Sequence, residues 1–343
     1  MTTADFRSDT VTRPTPAMRK AMAEATVDDD VLGHDPTTLT LEQEGARLLG
    51  KESALFMPSG VMANLVAVAT HTRPGDEVIT EEWAHTSRFE TGGAAAVAGV
   101  LLRTLPSKRG LMDADQVARW ISSGNEHTPR TALVCVEQTH NFHGGAVVPL
   151  DGLRAVSEAA RSRGVAVHMD GARLWNAVAA SGIDGATYGA LADTVSFCLS
   201  KGLGAPVGSL LCGPAEFLAR ARFWRKRLGG GMRQSGILAA AGLVALREMR
   251  SRLTQDHARA RRVAEAVATT APYVTDVSAA ETNIVFFGTG RIDAARIVAE
   301  AAARGILLYA VGPHRMRIVT HYDVDDACVD RLIELLRDVA RSA

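Results

Sequence analysis

The sequence predicts an α/β fold: a large domain with a mostly parallel, seven-stranded sheet sandwiched by helices, and a small C-terminal α+β domain. Two observations carry this prediction. The chain has 343 residues, too many for one small domain. From about residue 41, short apolar runs alternate with alanine-rich helical patterns. Such alternation is typical of strand–helix–strand units, whose sheet is covered on both faces.

Each apolar run predicts one strand of the large sheet. The seven runs are Ala54–Met57, Glu77–Thr80, Val100–Leu105, Thr131–Glu137, Val165–Asp170, Thr194–Ser200 and Gly208–Cys212. Residues 1–40, which precede them, are rich in turn formers and acidic residues and are expected to form an N-terminal arm and substrate loop. The large domain is therefore expected over residues 41–240.

The remainder, residues 241–343, predicts a linking helix and the small domain. A stretch rich in Ala, Leu and Arg from Met232 to about Thr269 is long enough for a helix that joins two domains. The elements expected after it are a strand at Asn283–Phe287, a helix near Ile292–Arg304, strands around Ile306–Tyr309 and Arg315–Thr320, and a last helix from about Asp326.

Composition narrows the class of protein. Lys+Arg and Asp+Glu both total 38, so the formal net charge is zero, which argues against a protein that coats nucleic acid or an anionic membrane. Hydrophobic residues make up 47% and charged residues 22%, as in globular proteins that bury a full core. The first residues carry charges where a signal peptide is apolar, and no run is long enough to span a membrane. We therefore expect a cytoplasmic protein.

The four cysteines are expected to be reduced. They are Cys135, Cys198, Cys212 and Cys328, and none is paired in a C-x-x-C motif. Three of them fall inside apolar, strand-like runs. Core positions are therefore expected for them, and neither a disulfide nor a metal site is predicted.

One predicted strand ends in Asp170, followed by Gly171 and Arg173. Functional groups of open α/β sheets gather where strands end, so this carboxylate is a candidate site residue. A buried carboxylate needs a cationic partner, because an isolated buried charge is costly. A local ion pair between Asp170 and Arg173 is the alternative to a functional role.

The next predicted strand ends just before Lys201. Apolar surroundings at that point favour a neutral, nucleophilic amine of the kind that bonds carbonyl groups. The alternative is a lysine whose ammonium group reaches out of the strand end into water.

Asp170 and Lys201 together indicate pyridoxal phosphate (PLP). Their separation is 201 − 170 = 31 residues, about one strand–helix–strand unit, so both side chains can point into one crevice. PLP requires a lysine for its aldehyde and an acid that keeps its pyridine nitrogen protonated. The turn from Pro58 to Asn64, which contains Ser59, precedes a helix whose N-terminal N–H groups can bind a phosphate. His85 is a candidate for stacking on the cofactor ring.

A basic cluster and a second histidine complete the candidates. The cations of the cluster are Arg220, Arg222, Arg225, Lys226, Arg227 and Arg233, next to three consecutive glycines. Most of them are expected on a solvated helix face, and Lys226 and Arg233 are kept as candidates for binding an anion. His140 also follows a strand end, whereas its neighbour His143 is expected to be a loop residue.

Eight ordered motifs resemble the low-specificity L-threonine aldolases, which are PLP enzymes of the aspartate-aminotransferase fold (fold type I). The motifs are R-S-D-T-V-T (7–12), D-P-T (35–37), P-S-G-x-M-A-N (58–64), A-H with F-E-T-G-G (84–93), T-H-N-x-x-G-G (139–145), H-M-D-G-A-R-L-W-N-A (168–177), S-F-C-L-S-K-G-L-G-A-P-V-G-S (196–209) and L-G-G-G-M-R-Q-S-G (228–236). The resemblance spans residues 6 to about 322. It implies a lyase that cleaves L-threonine, L-allo-threonine and related β-hydroxy-α-amino acids to glycine and an aldehyde.

The resemblance also implies a role for each matching residue. Lys201 would bond the cofactor aldehyde, Asp170 would pair with the pyridine nitrogen, and His85 would stack on the ring. The phosphate would be bound by Ser59 and the backbone of Gly60 and Val61, with Lys226 and Arg233 completing its site across a subunit boundary of a homodimer or homotetramer. The substrate carboxylate would be bound by Ser8, Arg173 and Arg317, while His140 would lie near the substrate hydroxyl, with His85 or His140 as the base. No metal is implied.

Two positions depart from the family pattern. Val61 replaces a threonine of the phosphate turn, so one hydroxyl contact is lost while the backbone N–H remains. Leu32 replaces a tyrosine that many members carry in the acidic loop near the substrate side chain, which bears on the preferred β-substituent.

Other functions compete with this interpretation. On the same scaffold they are β-elimination, racemisation, transamination, or an aldolase that prefers phenylserine. A rival of a different class is a binding or NAD-dependent protein with the same architecture. Against a dinucleotide site, the glycines of Gly202–Gly208 are spaced G-x-G-x-x-x-G, and Pro206 precedes a predicted strand where the fingerprint requires a helix.

Overall fold

The computed structural model describes residues 3–342, in which strands and helices alternate along most of the chain. The strands are β1 (Ala4–Asp5), β2 (Ser53–Met57), β3 (Glu77–Glu81), β4 (Leu101–Leu105), β5 (Ser107–Lys108), β6 (Leu111–Met112), β7 (Thr131–Glu137), β8 (Ala166–Asp170), β9 (Thr194–Cys198), β10 (Ser209–Gly213), β11 (Ile284–Gly288), β12 (Ile306–Leu307), β13 (Tyr309–Gly312) and β14 (Arg315–Val319). The α-helices are α1 (Pro16–Ala23), α2 (Pro36–Leu48), α3 (Gly60–His71), α4 (His85–Arg88), α5 (Ala114–Trp120), α6 (Leu150–Arg161), α7 (Leu174–Ser181), α8 (Gly185–Ala190), α9 (Ala215–Arg227), α10 (Gly236–Val244), α11 (Leu253–Ala268), α12 (Ala294–Ala303) and α13 (Asp326–Arg341).

The large sheet has seven strands in the order β2-β10-β9-β8-β7-β3-β4. β10 runs antiparallel to both of its neighbours, and the other neighbouring pairs are parallel. All seven strands predicted from the apolar runs are present, and the mostly parallel sheet is confirmed. Because parallel strands place their carboxyl ends at one edge, the residues that follow β3, β7, β8 and β9 meet there.

Both faces of this sheet are covered by helices, as expected for continuously apolar strands. Along β2, Phe56 packs into the core cluster that contains Leu41 of α2, whereas Leu55 and Met57 pack with residues of α3 and α9 on the other face. This alternation follows from the two-residue period of a strand. It leaves no side chain of β2's last four residues open to solvent.

The linking helix is interrupted, in contrast to the single helix predicted from Met232 to about Thr269. α10 begins at Gly236 and continues into a π-helical turn at Ala245–Met249, and α11 starts afresh at Leu253. Residues 245–253 contain neither proline nor glycine. Composition therefore gave no sign of the break, which depends on packing of the π turn against the core.

The C-terminal part is built on the antiparallel sheet β11-β14-β13, which packs with α11, α12 and α13. The expected strand around Ile306–Tyr309 is divided between β12 and β13. The N-terminal segment, expected to be an arm, joins this part: β1 pairs in parallel with β12, and Phe6 is fully buried in the C-terminal core. The segment is therefore anchored to the C-terminal part before it reaches the large sheet.

The cysteines are free, as predicted. Cys135, Cys198 and Cys212 are buried in strands of the large sheet, and Cys328 is half-buried in α13. Between residues 3 and 342, the helices are all too short or too polar to cross a membrane.

Candidate active site

A cleft of about 390 Å³ opens among the loops at the carboxyl edge of the large sheet, the N-terminal segment and the C-terminal sheet. Its polar lining is Ser8, Thr10, His85, Asn141, Arg173, Lys201 and Arg317, and its other lining residues are Phe89, Phe142, Phe286, Tyr309 and Val311. Three cations, Arg173, Lys201 and Arg317, thus face one cleft of a chain whose net charge is zero. Such a cleft suits an anionic ligand.

Asp170 lies next to this cleft at the end of β8 and is only 3% exposed. Its carboxylate accepts hydrogen bonds from the backbone N–H of Ala172 at 2.9 Å and from Nδ2 of Asn64 at 2.8 Å. Burial alone would raise the pKa of Asp170, but the nearby His85 and Lys201, together with these hydrogen bonds, lower it below its ordinary value. The surroundings of Asp170 therefore favour its ionised carboxylate form.

Asn64 of α3 holds this network together. Its Nδ2 also donates to Oε1 of Glu90 at 2.8 Å, and its Oδ1 accepts from Oγ of Ser196 at 2.7 Å. With donors and acceptor engaged on opposite sides, the amide has one satisfactory orientation. Asn64 consequently fixes the position of Asp170 relative to α3.

His85 begins α4 and lines the cleft. Its Nδ1 lies 2.9 Å from Oε1 of Glu90, which orients the ring. Burial would lower the pKa of His85, but the hydrogen bond to Glu90 and the charges of Asp170 and Glu90 outweigh it, so the pKa is raised above its ordinary value. His85 is thus an oriented imidazole that titrates above the usual histidine range.

Arg173 does not pair with Asp170, and the local ion pair considered from the sequence is not formed. Its guanidinium instead binds the fully buried Asp9 in a bidentate arrangement, with hydrogen bonds of 2.7 and 2.6 Å. Burial favours a higher pKa for Asp9, but Arg173 and the more distant Lys201 hold it well below its usual range. The third guanidinium nitrogen, Nη1, donates to Asn141 at 3.2 Å. Arg173 is therefore held rigidly at the cleft wall.

Arg317 faces the cleft from β14. Its Nη2 makes a long, 3.4 Å contact with the carbonyl oxygen of Arg7, and its buried Nε has no hydrogen-bond partner in the described structure. Burial and the charge of Arg173 lower the pKa of Arg317 to about 10. A ligand carboxylate would both supply the missing acceptor and offset the two neighbouring positive charges.

The N-terminus of α3, predicted from the sequence to bind a phosphate, has backbone N–H groups without intrahelical partners. Ser59 caps the helix by accepting from the N–H of Met62 at 3.2 Å, which leaves the N–H groups of Gly60 and Val61 outside the intrahelical ladder. A Cβ on Gly60 would lie 2.7 Å from Sγ of Cys198, so glycine is required for this close packing. Asn64, which bonds Asp170, is one helical turn further on, about 6 Å along the axis from Gly60.

His140 is placed behind the cleft wall. Its side chain is 0% exposed, it is not among the residues lining the cleft, and its Nε2 lies 2.9 Å from Oε2 of Glu81. The imidazole of His140, which is expected near the substrate hydroxyl, is turned towards the buried carboxylate of Glu81 in this conformation. Of the two histidines suggested as a base, only His85 faces the cleft.

Three predicted site residues lie away from the cleft of their own chain. Lys226 contributes to a separate surface groove, Arg233 is paired with Asp29 at 2.8 Å, and Leu32 is 66% exposed. The carbonyl oxygen of Arg233 accepts from the backbone N–H of Asp30, so the acidic loop and the glycine-rich loop lie side by side. None of these side chains takes part in the cleft described above.

Arg225 corrects the expectation of a solvated basic helix face. It is 3% exposed, pairs with Asp30 at 3.0 Å and donates to the carbonyl oxygen of Phe56 at 2.9 Å. The neighbouring Arg222 pairs with Glu42. Arg225 therefore connects α9 to the acidic loop and β2, because a buried guanidinium must be paired, whereas the side chain of Arg222 is 39% exposed.

Several residues that the sequence did not single out position the site. Asp9 holds Arg173, Asn64 holds Asp170 and Glu90 holds His85. All three lie inside or beside the quoted motifs, at positions 7–12, 58–64 and 84–93. Their position in these motifs, as polar residues close to the candidate site residues, was the signal that the sequence offered.

Comparisons with known proteins agree over nearly the whole chain. The family described as "Beta-eliminating lyase" matches residues 5–289. The chain is 44% identical over 321 residues to "Low specificity L-threonine aldolase" of Escherichia coli (strain K12), which covers 93% of this chain and 94% of the relative. It is 42% identical over 349 residues to "Probable low-specificity L-threonine aldolase 2" of Arabidopsis thaliana, with 99% and 98% covered. The solved structure of Leishmania major threonine aldolase superposes with a TM-score of 0.86 at 21% identity, covering 98% of this chain and 99% of that one, which shows the shared fold.

Proposed function

We propose a reaction for this chain from the premise that it belongs to the beta-eliminating lyase family and, within it, to the low-specificity L-threonine aldolases. The reaction is the PLP-dependent cleavage of the Cα–Cβ bond of L-threonine, L-allo-threonine and related β-hydroxy-α-amino acids, giving glycine and an aldehyde. The single observation that carries this proposal is the convergence of Lys201, His85, Arg173 and Arg317 on one cleft next to the ionised Asp170.

The residues at the cleft fit pyridoxal phosphate. Lys201 offers the amine for its aldehyde, the ionised Asp170 offers a partner for its pyridine nitrogen, and His85 offers a flat face for its ring. The N-terminus of α3, with Ser59, Gly60 and Val61, offers the phosphate site, and Asn64 of the same helix binds Asp170. When bound, the cofactor supplies the electron sink that accepts the electrons of the broken bond.

Arg173 and Arg317 are the proposed site for the substrate carboxylate, with Ser8 beside them. Asp9 takes two nitrogens of Arg173 and Asn141 contacts the third, so the guanidinium is fixed before substrate arrives. Binding of the carboxylate by Arg173 and Arg317 would hold the substrate in one orientation at the cofactor. Orientation therefore selects cleavage of the Cα–Cβ bond over loss of the Cα proton.

His85 is the proposed acceptor of the β-hydroxyl proton. It lines the cleft, and Glu90 binds its Nδ1, which leaves Nε2 as the nitrogen available to a substrate or to a water in the cleft. His140 is left with an indirect role, since Glu81 holds its imidazole behind the wall.

A preference for aryl β-substituents is the second candidate function. The cleft carries four aromatic side chains, Phe89, Phe142, Phe286 and Tyr309, and Tyr309 is 55% exposed. Aromatic walls bind phenyl groups better than they bind a methyl group. This favours β-phenylserine among the substrates that the aldolase reaction allows.

The proposed assembly is a homodimer or homotetramer with shared active sites. Lys226 and Arg233 lie outside the cleft of their own chain, and Lys226 lines a surface groove that also contains the exposed Phe223. In a symmetric dimer the same patch of each subunit reaches the other, so these two cations would complete the partner's phosphate site. A location in the cytoplasm stays a prediction from the sequence.

Glycine release from L-threonine, L-allo-threonine and β-phenylserine, measured side by side on the PLP-loaded protein, tests the proposal. We expect glycine from all three, with the highest kcat/KM for β-phenylserine. Release of ammonia and a keto acid without glycine would show that the protein is an eliminating lyase and not an aldolase. Formation of the D-amino acid without glycine would show that it is a racemase. Faster cleavage of threonine than of phenylserine would contradict the proposed aryl preference but would still support the aldolase reaction.

A further inference from the structure

A second cluster of chemically active side chains lies behind the cleft wall. Oε2 of Glu81 lies 2.9 Å from Nε2 of His140, and Oε1 of the same carboxylate lies 3.2 Å from Nε2 of His143. Oγ of Ser107 lies 2.8 Å from Oε1 of Glu81 and 3.3 Å from Nε2 of His143. Glu81 at the end of β3, Ser107 at the start of β5, and His140 and His143 after β7 therefore bring their potential ligand atoms together. One ligand atom each of Glu81, His140 and His143 lie within 4.8 Å of one another.

The spacing of these atoms matches a tetrahedral metal site. Zinc binds imidazole nitrogen and carboxylate oxygen at about 2.0–2.2 Å, so neighbouring ligand atoms of a tetrahedron are about 3.4 Å apart. The four contacts of 2.8 to 3.3 Å are shorter by a few tenths of an ångström. An ion would therefore require these ligand atoms to move apart by a few tenths of an ångström.

The three main ligands are already held in place. Glu81 is 1% exposed, and its Oε2 also accepts from the N–H of Trp83 at 2.6 Å. The imidazole of His140 is fully buried and in ring contact with that of His143 at 4.6 Å between centroids. Groups that need little ordering on binding make a site with a small entropic cost.

An ion can reach this cluster from solvent and meets a favourable charge. His143 is 26% exposed and lines a second cleft of about 510 Å³. Arg109 lies in the same cleft but is paired with Glu281 at 3.1 Å. Glu137, 5% exposed, interacts with His140 through its charge, so a second buried carboxylate lies near the site.

We propose that Glu81, His140 and His143, with Ser107 as the fourth donor, form a binding site for a divalent transition-metal ion of the zinc type. Two imidazoles and one carboxylate are typical of zinc, whereas calcium and magnesium prefer sites built from oxygen alone. The other group of close ionisable side chains, His85, Glu90 and Asp170, belongs to the cofactor site described above. The new site is separate from that cofactor site and independent of the proposed reaction.

Metal content of the PLP-loaded protein tests this site. Purified holoenzyme is incubated with Zn²⁺, passed over a desalting column and analysed for zinc per chain, and Co²⁺ is used in parallel because a four-coordinate cobalt ion absorbs visible light strongly. We expect one retained ion per chain and an intense cobalt spectrum. His143→Ala should weaken zinc binding by more than about 100-fold, since even the loss of a residue that only supports a ligand costs 10- to 100-fold.

His127→Ala is the matched control, because His127 lies in an exposed loop. It should retain one zinc ion per chain, and His143→Cys should recover binding through its thiolate. The cofactor absorption and the circular dichroism of each variant establish that the protein is folded. Failure of the wild type to retain zinc, or equal zinc retention by folded His143→Ala, would overturn the proposal.

Discussion

At the scale of single residues, the site depends on buried polar groups that each orient one functional side chain. Asn64 joins Asp170 and Glu90 through one amide group, and Glu90 in turn orients His85. Because these contacts are buried, the loss of one hydrogen-bond partner would destabilise the protein by more than a surface hydrogen bond stabilises it. The carboxylate and the imidazole of the proposed cofactor site are therefore fixed relative to each other through Asn64 and Glu90.

Asp170→Asn should keep the fold and lower kcat by orders of magnitude. The amide retains the shape and can still meet the N–H of Ala172, but it cannot hold a ring nitrogen protonated. Steady-state glycine release and circular dichroism measure the two effects, with Asp151→Asn on the exposed face of α6 as the control. Near-normal activity of Asp170→Asn would mean that the electron sink depends on another residue.

Glu90→Gln should shift the acidic limb of the activity profile to lower pH. His85 must be neutral to accept a proton, and its pKa is raised by Glu90, so activity should increase with pH above the ordinary histidine value of about 6.5. Removal of the Glu90 carboxylate leaves burial, which lowers the pKa of His85, opposed by the charge of Asp170. The profile of kcat/KM against pH reports the shift, and an unchanged limb in an active variant would exclude His85 as the titrating base.

At the scale of elements, the N-terminal segment connects the C-terminal core to the cleft. β1 pairs with β12 and Phe6 fills the C-terminal core, while Ser8 and Asp9, two and three residues later, reach the cleft and Arg173. Oγ1 of Thr12 donates to the carbonyl oxygen of Lys201 at 3.0 Å. The segment therefore couples folding of the C-terminal part to the geometry of the site.

Phe6→Ala should lower the free energy of unfolding by about 3–5 kcal/mol, the usual cost of a large cavity in a core. Because the segment also carries Ser8 and Asp9, we expect KM for the amino acid to rise in the folded variant. Urea titration and steady-state kinetics measure these effects. Phe6→Leu should cost clearly less, and equal stabilities for both variants would show that the ring is not packed in the core.

The sequence predicted the elements that obey local rules. All seven strands of the large sheet were found from their apolar runs, and the strand-end rule found Asp170 and Lys201. It did not find Asp9 as the partner of Arg173, because the two residues are 164 positions apart and their contact is a product of the fold. The burial of Arg225 and the break before α11 were missed for the same reason, since tertiary packing sets both.

At the scale of the whole molecule, the proposed sites are shared between subunits. Mixing inactive Lys201→Ala with inactive Arg233→Ala subunits should then restore activity, because a hybrid dimer contains one site with both defects and one with neither. The expected recovery is about half of a wild-type dimer per hybrid. Hybrids that are demonstrated to form but stay inactive, or a fully active monomer, would reject the shared site.

The most direct test of the account is to locate the lysine that bonds the cofactor. The chain has five lysines, Lys20, Lys51, Lys108, Lys201 and Lys226, and Lys201 lines the cleft. The PLP-loaded protein is reduced with borohydride, digested and analysed by mass spectrometry. We predict a pyridoxyl group on Lys201 and its absence after Lys201→Ala. A pyridoxyl group at another lysine in the wild type, or no visible absorption that borohydride removes, would contradict the account.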